Sequence, residues 1–568
     1  MSAERVSKGL VEPIRDAAYG DDWWRRAVVY QVYPRSFADH DGDGVGDLAG
    51  LIDHLDHLNG SPESLGVDAI WLSPIYPSPG RDVGYDVTDH ATVDPLLGSE
   101  EDFDRLIVEA HRRGLRVILD LVMNHTSNES AWFMASRSSR DGPFGDWYLW
   151  RDPAGVDGEG RPLPPNNWLS WFGGSAWQWD DLRGQFYQHT FLAEQPELNW
   201  RNPAVEDAQF EMVRGWLDRG VDGFRLDVFN VFLKHPDLLA NPVRQGRTAW
   251  ERQEHIHDRD SPDFPLLIGR FREIVDERPG RMSVGELFGT DPQQAAALAA
   301  DRHLVFDWEL VTQPWSADAF RTAIERREAV FAERWPTVVL SNHDRPRLAS
   351  RLADSVGAVG EDRDAIARAA AVLQLTIRGT PFLYYGDELG LDDVAIPPDE
   401  SIDPPAARAG PDFPWWDRSQ CRTPMPWTSG PGAGFTTGRP WLRLGPDHEK
   451  RNVAVQATQP DSVLACYRRL LRARRELASL QDGALSLVVS DDPGVLAFRR
   501  LGSGPEVLVV VAFGAGGARV PIEPPGQGGT WRVVVGSRAD VPVMPNPGEP
   551  LVLRPYEACV AVAVESGT

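Results

Sequence analysis

Cysteine is scarce: Cys421, Cys466 and Cys559 are the only three in 568 residues, an odd number, far apart and without CxxC spacing. A disulfide framework and a thiolate zinc site are both excluded, and the three are expected to be buried, inert thiols. No run reaches the roughly 18 uninterrupted apolar residues of a spanning helix, and the opening MSAERVSKGLVEPIRDAAYG lacks the apolar stretch of a signal peptide, so the chain reads as cytoplasmic. Basic side chains are outnumbered, 58 against 84 acidic, and the net charge of −26 repels phosphate backbones and anionic lipid, which argues against nucleic-acid and membrane partners. Neither G-x-x-x-x-G-K-[ST] nor G-x-G-x-x-G occurs, so no nucleotide or other organic cofactor is indicated. What is present is ordinary in bulk, 42% apolar and 25% charged, enough for a large core and neither disordered nor collagen-like. Tryptophan is the exception: eight of 21 fall between Trp132 and Trp200, a segment expected to stack on something.

Roughly 150 residues per domain would suggest about four domains, but one α/β barrel can absorb most of such a chain. Eight short β-branched and aromatic runs alternate with amphipathic stretches: VVYQVYP (28–34), AIWLSPIY (69–76), RVILDLV (116–122), GFRLDVF (223–229), MSVGEL (282–287), LVFDWEL (304–310), TVVLSNH (337–343) and TPFLYYG (380–386). Ser99 before Glu100, Glu101 and Asp102, then Asn202-Pro203 and Asp291-Pro292, read as helix starts. This pattern predicts a (β/α)8 barrel over 1–125 and 201–481, with a subdomain inserted at 126–200 after the third strand. A second long connection, about 391–460, holds twelve prolines and can be ordered only by packing across the same rim. The stretch 461–480 reads as the closing helix, and VLAFRRL, EVLVVVAF, TWRVVVG and EACVAVAVE as strands of a C-terminal antiparallel β-sandwich, 482–568.

Polar residues gather where barrel strands end, the face on which barrel enzymes keep their sites. Strand three ends in Asp120, Asn124 and His125, strand four carries Arg225 and Asp227, strand five ends in Glu286, and strand seven in Asn342, His343 and Asp344. Converging carboxylates are an electrostatic liability unless a substrate needs them, because each costs several kcal/mol to bury unpaired. After strand one, DHDGDGVGDLAG sets Asp39, Asp41, Asp43 and Asp47 at alternating positions with Gly44 at the turn, as in an oxygen-ligand calcium loop. Gly50 stands where an EF-hand has its bidentate Glu, which excludes that motif and leaves a solvated acidic turn as the alternative.

Four motifs in barrel order, DLVMNH (120–125), GFRLDVFN (223–230), GELF (285–288) and SNHDRPR (341–347), with QPELN (195–199), resemble the α-amylase superfamily, glycoside hydrolase family 13, in its oligo-1,6-glucosidase and α-glucosidase branch. The resemblance implies Asp227 as nucleophile, Glu286 as general acid/base and Asp344 as the carboxylate that grips the sugar. By the same similarity His125, His343 and Arg225 line the glucose site, Asp82, Tyr85 and Arg422 hold a terminal glucose, and Phe172, Phe191 and Gln195 shape the pocket. The acidic loop is implied to hold a structural Ca²⁺ or Mg²⁺, with the Val45 carbonyl as a fifth ligand. In resembling enzymes a valine at Val228 goes with α-1,6 and a threonine with α-1,4 cleavage.

Elementary chemistry supports these roles. Retaining cleavage needs two carboxyls about 5 Å apart, one ionised and one protonated. Arg225, two residues from Asp227 on one strand, is expected to keep it ionised. Glu286 has no basic neighbour in its motif, and the carboxylates opposite are expected to raise its pKa. Alternation along the strand is expected to point Val228 out of the catalytic line, while its place near the strand end still lets it press on whatever sits in the leaving-group site. The activity expected is a retaining, exo-acting α-glucosidase on short oligosaccharides. A transglucosylase or isomerase of trehalose synthase or sucrose isomerase type uses the same residues, although SNHDRPR has the glucosidase form and no Arg-Leu-Asp-Arg-Asp segment occurs. A non-catalytic relative, like the ectodomain of a transporter heavy chain, would lack the carboxylates that Asp227 and Glu286 supply. Oligomeric state is not readable from the sequence.

Overall fold

The computed structural model describes residues 20–289, 293, 297, 303–403, 416–526, 529–546 and 549–564. The first three strands are β1 (Val29–Val32), β2 (Ala69–Leu72) and β3 (Arg116–Leu121). Five short strands follow: β4 (Trp150–Arg151), β5 (Gly155–Val156), β6 (Pro162–Leu163), β7 (Trp177–Asp180) and β8 (Gln185–Gln188). Next come β9 (Gly223–Leu226), β10 (Met282–Gly285), β11 (Leu304–Val305), β12 (Thr337–Val339) and β13 (Thr380–Tyr384). All eight expected barrel strands are present, each shorter than its apolar run, in one parallel sheet ordered β11-β10-β9-β3-β2-β1-β13-β12. The two ends of that order meet through a side chain: the Thr337 hydroxyl donates to Val305 O at 3.3 Å and accepts from Asp307 N at 2.9 Å. The (β/α)8 barrel is thereby nearly closed.

Two-residue alternation sorts the strand side chains. Val29, Trp71, Ile118, Val284, Leu304, Val339 and Phe382 fill the interior with Trp23 and Trp24 of the N-terminal turn, while Tyr30, Ile70, Leu119 and Leu383 pack outward with the helices. The helix Glu100–Arg112 starts in a capping box, Ser99 N donating to Asp102 Oδ2 at 3.0 Å and Asp102 N to Ser99 Oγ at 3.1 Å. Pro203–Asp218 starts at the Asn202 cap, as expected. The third expected start, Asp291-Pro292, lies outside the described residues.

The inserted segment forms a three-stranded antiparallel sheet, β4-β8-β7, and a β5-β6 ribbon. Its tryptophans pack mainly on the protein: Trp132 edge-on to Trp147, with Trp150 stacked on Phe133, Trp168 on Trp177 and Trp200 on Phe232. Only Trp171 of the eight faces the central cavity. The described part of the proline-rich connection crosses the rim and grips the loop after β1, with Met425 N donating to Ser36 O at 2.8 Å and Trp427 Nε1 to Phe37 O at 2.7 Å. Helices Val463–Glu476 and Ala478–Asp482 lead into β14 (Ala484–Val488), β15 (Val495–Leu501), β16 (Val507–Ala512), β17 (Ala518–Val520), β18 (Thr530–Gly536), β19 (Leu551–Leu553) and β20 (Ala558–Val564). These make an antiparallel sheet β14-β15-β16-β20-β18, one face of which packs on the β17-β19 pair. The three cysteines are buried and unpaired, and burial raises each thiol. No helix among the described residues is long and apolar enough to cross a membrane.

Candidate active site

A cavity of about 540 Å³ opens over the C-terminal ends of the barrel strands. Asp82, Tyr85, His125, Phe172, Phe191, Gln195, Asp227, Val228, Glu286 and Asp344 all line it. Arg225, His343 and Arg422 lie buried beneath and reach it through the groups they bind.

Arg225 is the electrostatic centre. Its Nη1 donates to Asp120 Oδ1 and to Asp227 Oδ1, both at 2.7 Å, and its Nη2 donates to Glu286 Oε2. One guanidinium thus serves three carboxylates rather than Asp227 alone. Burial lifts Asp227 well above the usual carboxylate range, Arg225 opposing it and Glu286 and Asp120 adding to the rise. Glu286 is also raised, first by burial, against the pull of Arg225; the carboxylates of Asp344 and Asp120 add to it. The Glu286 motif holds no basic residue, as expected, but β9 brings Arg225 to it from another strand, and the opposite carboxylates raise it as expected although burial does more. The expectation for Asp227 is corrected: Arg225 is a shared counter-ion, unable to neutralise it fully.

Asp344 is the opposite case. Burial alone would raise it, but the guanidiniums of Arg418 and Arg422 beside it hold it far below the usual range. Arg422 Nη2 donates to Asp344 Oδ1 at 2.7 Å and Arg418 Nη1 to the same oxygen at 3.2 Å. His343 stacks on Tyr85 with rings 5.4 Å apart, sits 2.6 Å from the Tyr85 hydroxyl, and is kept neutral chiefly by burial. His125, pushed down to about 4 by burial, meets Tyr85 O at 3.0 Å and the Gln195 amide at 3.1 Å.

Arg418 escaped the sequence reading. It lines the cavity, donating to Asp82 Oδ1 at 2.6 Å and to Asp403 Oδ1 at 2.7 Å as well as to Asp344. The short 3₁₀ turn Arg418–Cys421 sets Arg418 one turn ahead of Arg422, so Arg418 takes the cavity wall and Arg422 goes beneath. Asp82 also accepts from Gln195 Nε2 at 3.1 Å. The wall where Asp82, Gln195, Arg418 and Asp344 meet is therefore tied together by charge-assisted bonds. Phe288, the last residue of GELF, and Trp171 of the tryptophan cluster add aromatic surface, as do Trp308 and Trp416, which no motif announced.

Val228 does not follow strand alternation. The strand β9 ends at Leu226, and Val228 sits at φ 33° and ψ 41°, a left-handed conformation costly for a β-branched residue. This kink turns its side chain into the cavity wall, packed with Phe172, Phe191, Leu192 and Val231.

In the acidic loop, carboxylate oxygens of Asp39, Asp41 and Asp43 come within 4.8 Å of one another. Asp47 is not among them: Oδ1 caps the helix Leu48–Asp53 by accepting from Gly50 N at 2.6 Å, and Oδ2 accepts from His40 N at 2.9 Å. An oxygen-only, acidic donor set fits a hard cation such as Ca²⁺ or Mg²⁺. The loop is pinned to the proline-rich connection, Asp39 N donating to Phe435 O at 2.9 Å; at Gly44, φ 101°, an added Cβ would lie 1.9 Å from Arg439 O.

A parallel barrel whose third, fourth, fifth and seventh strands deliver acids and a guanidinium to one cavity is a glycosidase architecture, and the alpha amylase catalytic-domain family matches residues 31–483. The chain belongs to the α-amylase family of glycoside hydrolases. A probable alpha-glucosidase of Rhizobium meliloti (strain 1021) is 43% identical over 507 residues, 86% of this chain and 88% of that protein. Among solved structures, an alpha-glucosyl transfer enzyme superposes with a TM-score of 0.86 at 41% identity, over 95% of this chain and 99% of that one. A trehalulose synthase follows with a TM-score of 0.85 at 34% identity, over 95% and 100% of the two chains.

Proposed function

We propose that the protein is a retaining, exo-acting α-glucosidase that releases glucose from the non-reducing end of short α-glucosides. The observation that carries this reading is the meeting of Asp227 and Glu286 on one guanidinium in a cavity whose wall is bonded together by Asp82, Arg418 and Asp344. In the first step an Asp227 oxygen attacks the anomeric carbon while Glu286 gives its proton to the departing glycosidic oxygen, leaving a glucosyl ester on Asp227. In the second, Glu286 takes a proton from water, the water oxygen attacks the same carbon, and α-glucose leaves with Asp227 restored. Asp344, held ionised by Arg418 and Arg422, accepts hydrogen bonds from the sugar hydroxyls. Asp82, Tyr85, His125, Gln195, Phe172 and Phe191 enclose the terminal glucose.

A second reading is favoured by likeness to structures named an alpha-glucosyl transfer enzyme and a trehalulose synthase: in it the glucosyl ester is passed to a sugar hydroxyl instead of water. A change of about 1.4 kcal/mol in acceptor binding moves the outcome tenfold. The test is a product time course on maltose, isomaltose, sucrose, trehalose and p-nitrophenyl α-glucoside. Free glucose throughout supports hydrolysis, and new disaccharides support transfer. For the acidic loop we propose that Asp39, Asp41 and Asp43 with the Val45 carbonyl hold Ca²⁺ or Mg²⁺, Asp47 serving instead as the cap of the following helix. The ion would neutralise the loop and stabilise the fold, with no part in the chemical steps.

A further inference from the structure

The marker QPELN supplies Gln195 to the cavity, but its acid, Glu197, points away from it into the protein. Glu197 Oε2 lies 2.6 Å from Lys234 Nζ, with both side chains almost completely buried. The ammonium has two further acceptors, Val231 O at 2.6 Å and Thr190 Oγ1 at 3.3 Å, and Glu197 Oε1 accepts from Thr190 N at 2.8 Å. Two of the three N–H donors of the lysine are used in these hydrogen bonds, and the carboxylate meets the ammonium as an ion pair.

These contacts join two pieces of the site. Thr190 and Glu197 bracket the stretch that carries Phe191 and Gln195. Val231 ends the turn Phe229–Val231, which follows Val228 and Asp227. The apolar cluster of Phe172, Phe191, Leu192, Val228 and Val231 also bridges the two pieces, but apolar contact is non-directional and tolerates sliding. A buried ion pair costs several kcal/mol of desolvation and is weak as a source of stability, so its place here calls for another role.

We propose that Glu197 and Lys234 are positioning residues, a clamp that sets the wall bearing Phe191 and Gln195 in register with the turn behind Asp227. The inference rests on the reading of the cavity as a glucose site. The acting element is the buried ion pair together with the directional bonds from Lys234 to Val231 O and Thr190 Oγ1 and from Thr190 N to Glu197, and its effect on substrate passes through Phe191, Gln195 and Val228.

The test compares Glu197→Gln, Lys234→Met and the double variant Glu197→Gln/Lys234→Met with wild type. Each single change involving a charge left alone is expected to lower the melting temperature, and the double variant, with no unpaired buried charge, to recover most of it. The clamp predicts that the double variant still loses about tenfold in kcat/KM on p-nitrophenyl α-glucoside, mostly through KM. A double variant with wild-type kcat and KM overturns the proposal and leaves the pair a structural one. If wild type cleaves no α-glucoside, the functional reading fails separately, and the clamp is read from amide hydrogen exchange. Faster exchange in the double variant at both 190–195 and 228–231 supports it, and unchanged exchange overturns it. Should the double variant not fold, the near-isosteric Glu197→Gln carries the same two readouts.

Discussion

Asp227 and Glu286 share one counter-ion: Arg225 donates to Asp227 from Nη1 at 2.7 Å and to Glu286 from Nη2. Because Asp120 draws on the same guanidinium at 2.7 Å, the positive charge is outnumbered three to one in a buried place. The favourable resting state keeps a proton on the pair, which is the condition double displacement starts from.

Asp227→Asn and Glu286→Gln are each expected to lower turnover by at least about a thousandfold. Arg225 keeps two carboxylate partners in either variant, so the melting temperature should change little. With α-glucosyl fluoride, whose leaving group needs little protonation, Glu286→Gln should still accumulate the covalent intermediate by mass spectrometry. Near-normal turnover in either variant would sink the mechanism.

The pH profile of kcat/KM should be bell-shaped, with both limbs above the range of exposed carboxylates, about 4. The sign follows from burial raising both groups, which titrate as one pair on Arg225: the first ionisation of the pair frees a nucleophile, so activity climbs with pH, and the second strips the remaining proton that the acid needs, so activity falls. In Glu286→Gln on the fluoride donor the falling limb should vanish. A rate independent of pH from 4 upward contradicts this account.

Removing Arg418 takes the cation from Asp82 and Asp403 and leaves Asp344 with Arg422 alone. Arg418→Met is expected to cost about 3–5 kcal/mol in denaturant unfolding and to raise KM. Arg418→Lys should recover only part of the loss, because an ammonium cannot reproduce the planar fork that spans these partners. Unchanged stability in Arg418→Met would refute the counter-ion role.

Millimolar Ca²⁺ or Mg²⁺ should raise the melting temperature, approaching about 2.7 kcal/mol at a hundredfold excess over Kd, and chelation should reverse it. Asp41→Asn and Asp43→Asn should abolish the response while leaving activity in the cold. An identical cation response in wild type and both variants would remove the ion from this loop.

Val228→Thr keeps the β-branch and so the backbone strain, but gives the cavity wall a hydroxyl. It is expected to shift preference from isomaltose towards maltose by several-fold, about 1 kcal/mol, with stability nearly unchanged. A wild type that cleaves maltose or sucrose at least about a hundredfold better than isomaltose would show that Val228 does not set linkage here.

The barrel was legible because its β-branched runs recur between capped helices, and the acids of the site because they end those runs. Arg418 was not: it lies in a proline-rich connection with no period, and its meaning is its nearness to Asp82, Asp344 and Asp403. Alternation misdirected Val228 because the strand stops at Leu226, before the rule can reach it. The tryptophans signalled aromatic packing correctly but not its partner, since composition cannot distinguish a ring that meets a sugar from one that meets Phe133 or Phe232.

The bond from Arg418 to Asp82 joins residues 336 positions apart. A ribosome adding roughly 5–20 residues per second delivers the nucleophile and the acid many seconds before it delivers this cation. Until then the emerging barrel carries an acidic mouth in which Asp82 and Asp344 lack the guanidiniums that bind them in the finished fold. A nascent chain stalled short of residue 418 would therefore own its reactive groups without the wall that lets them act, and synthesis itself sets the moment at which activity begins.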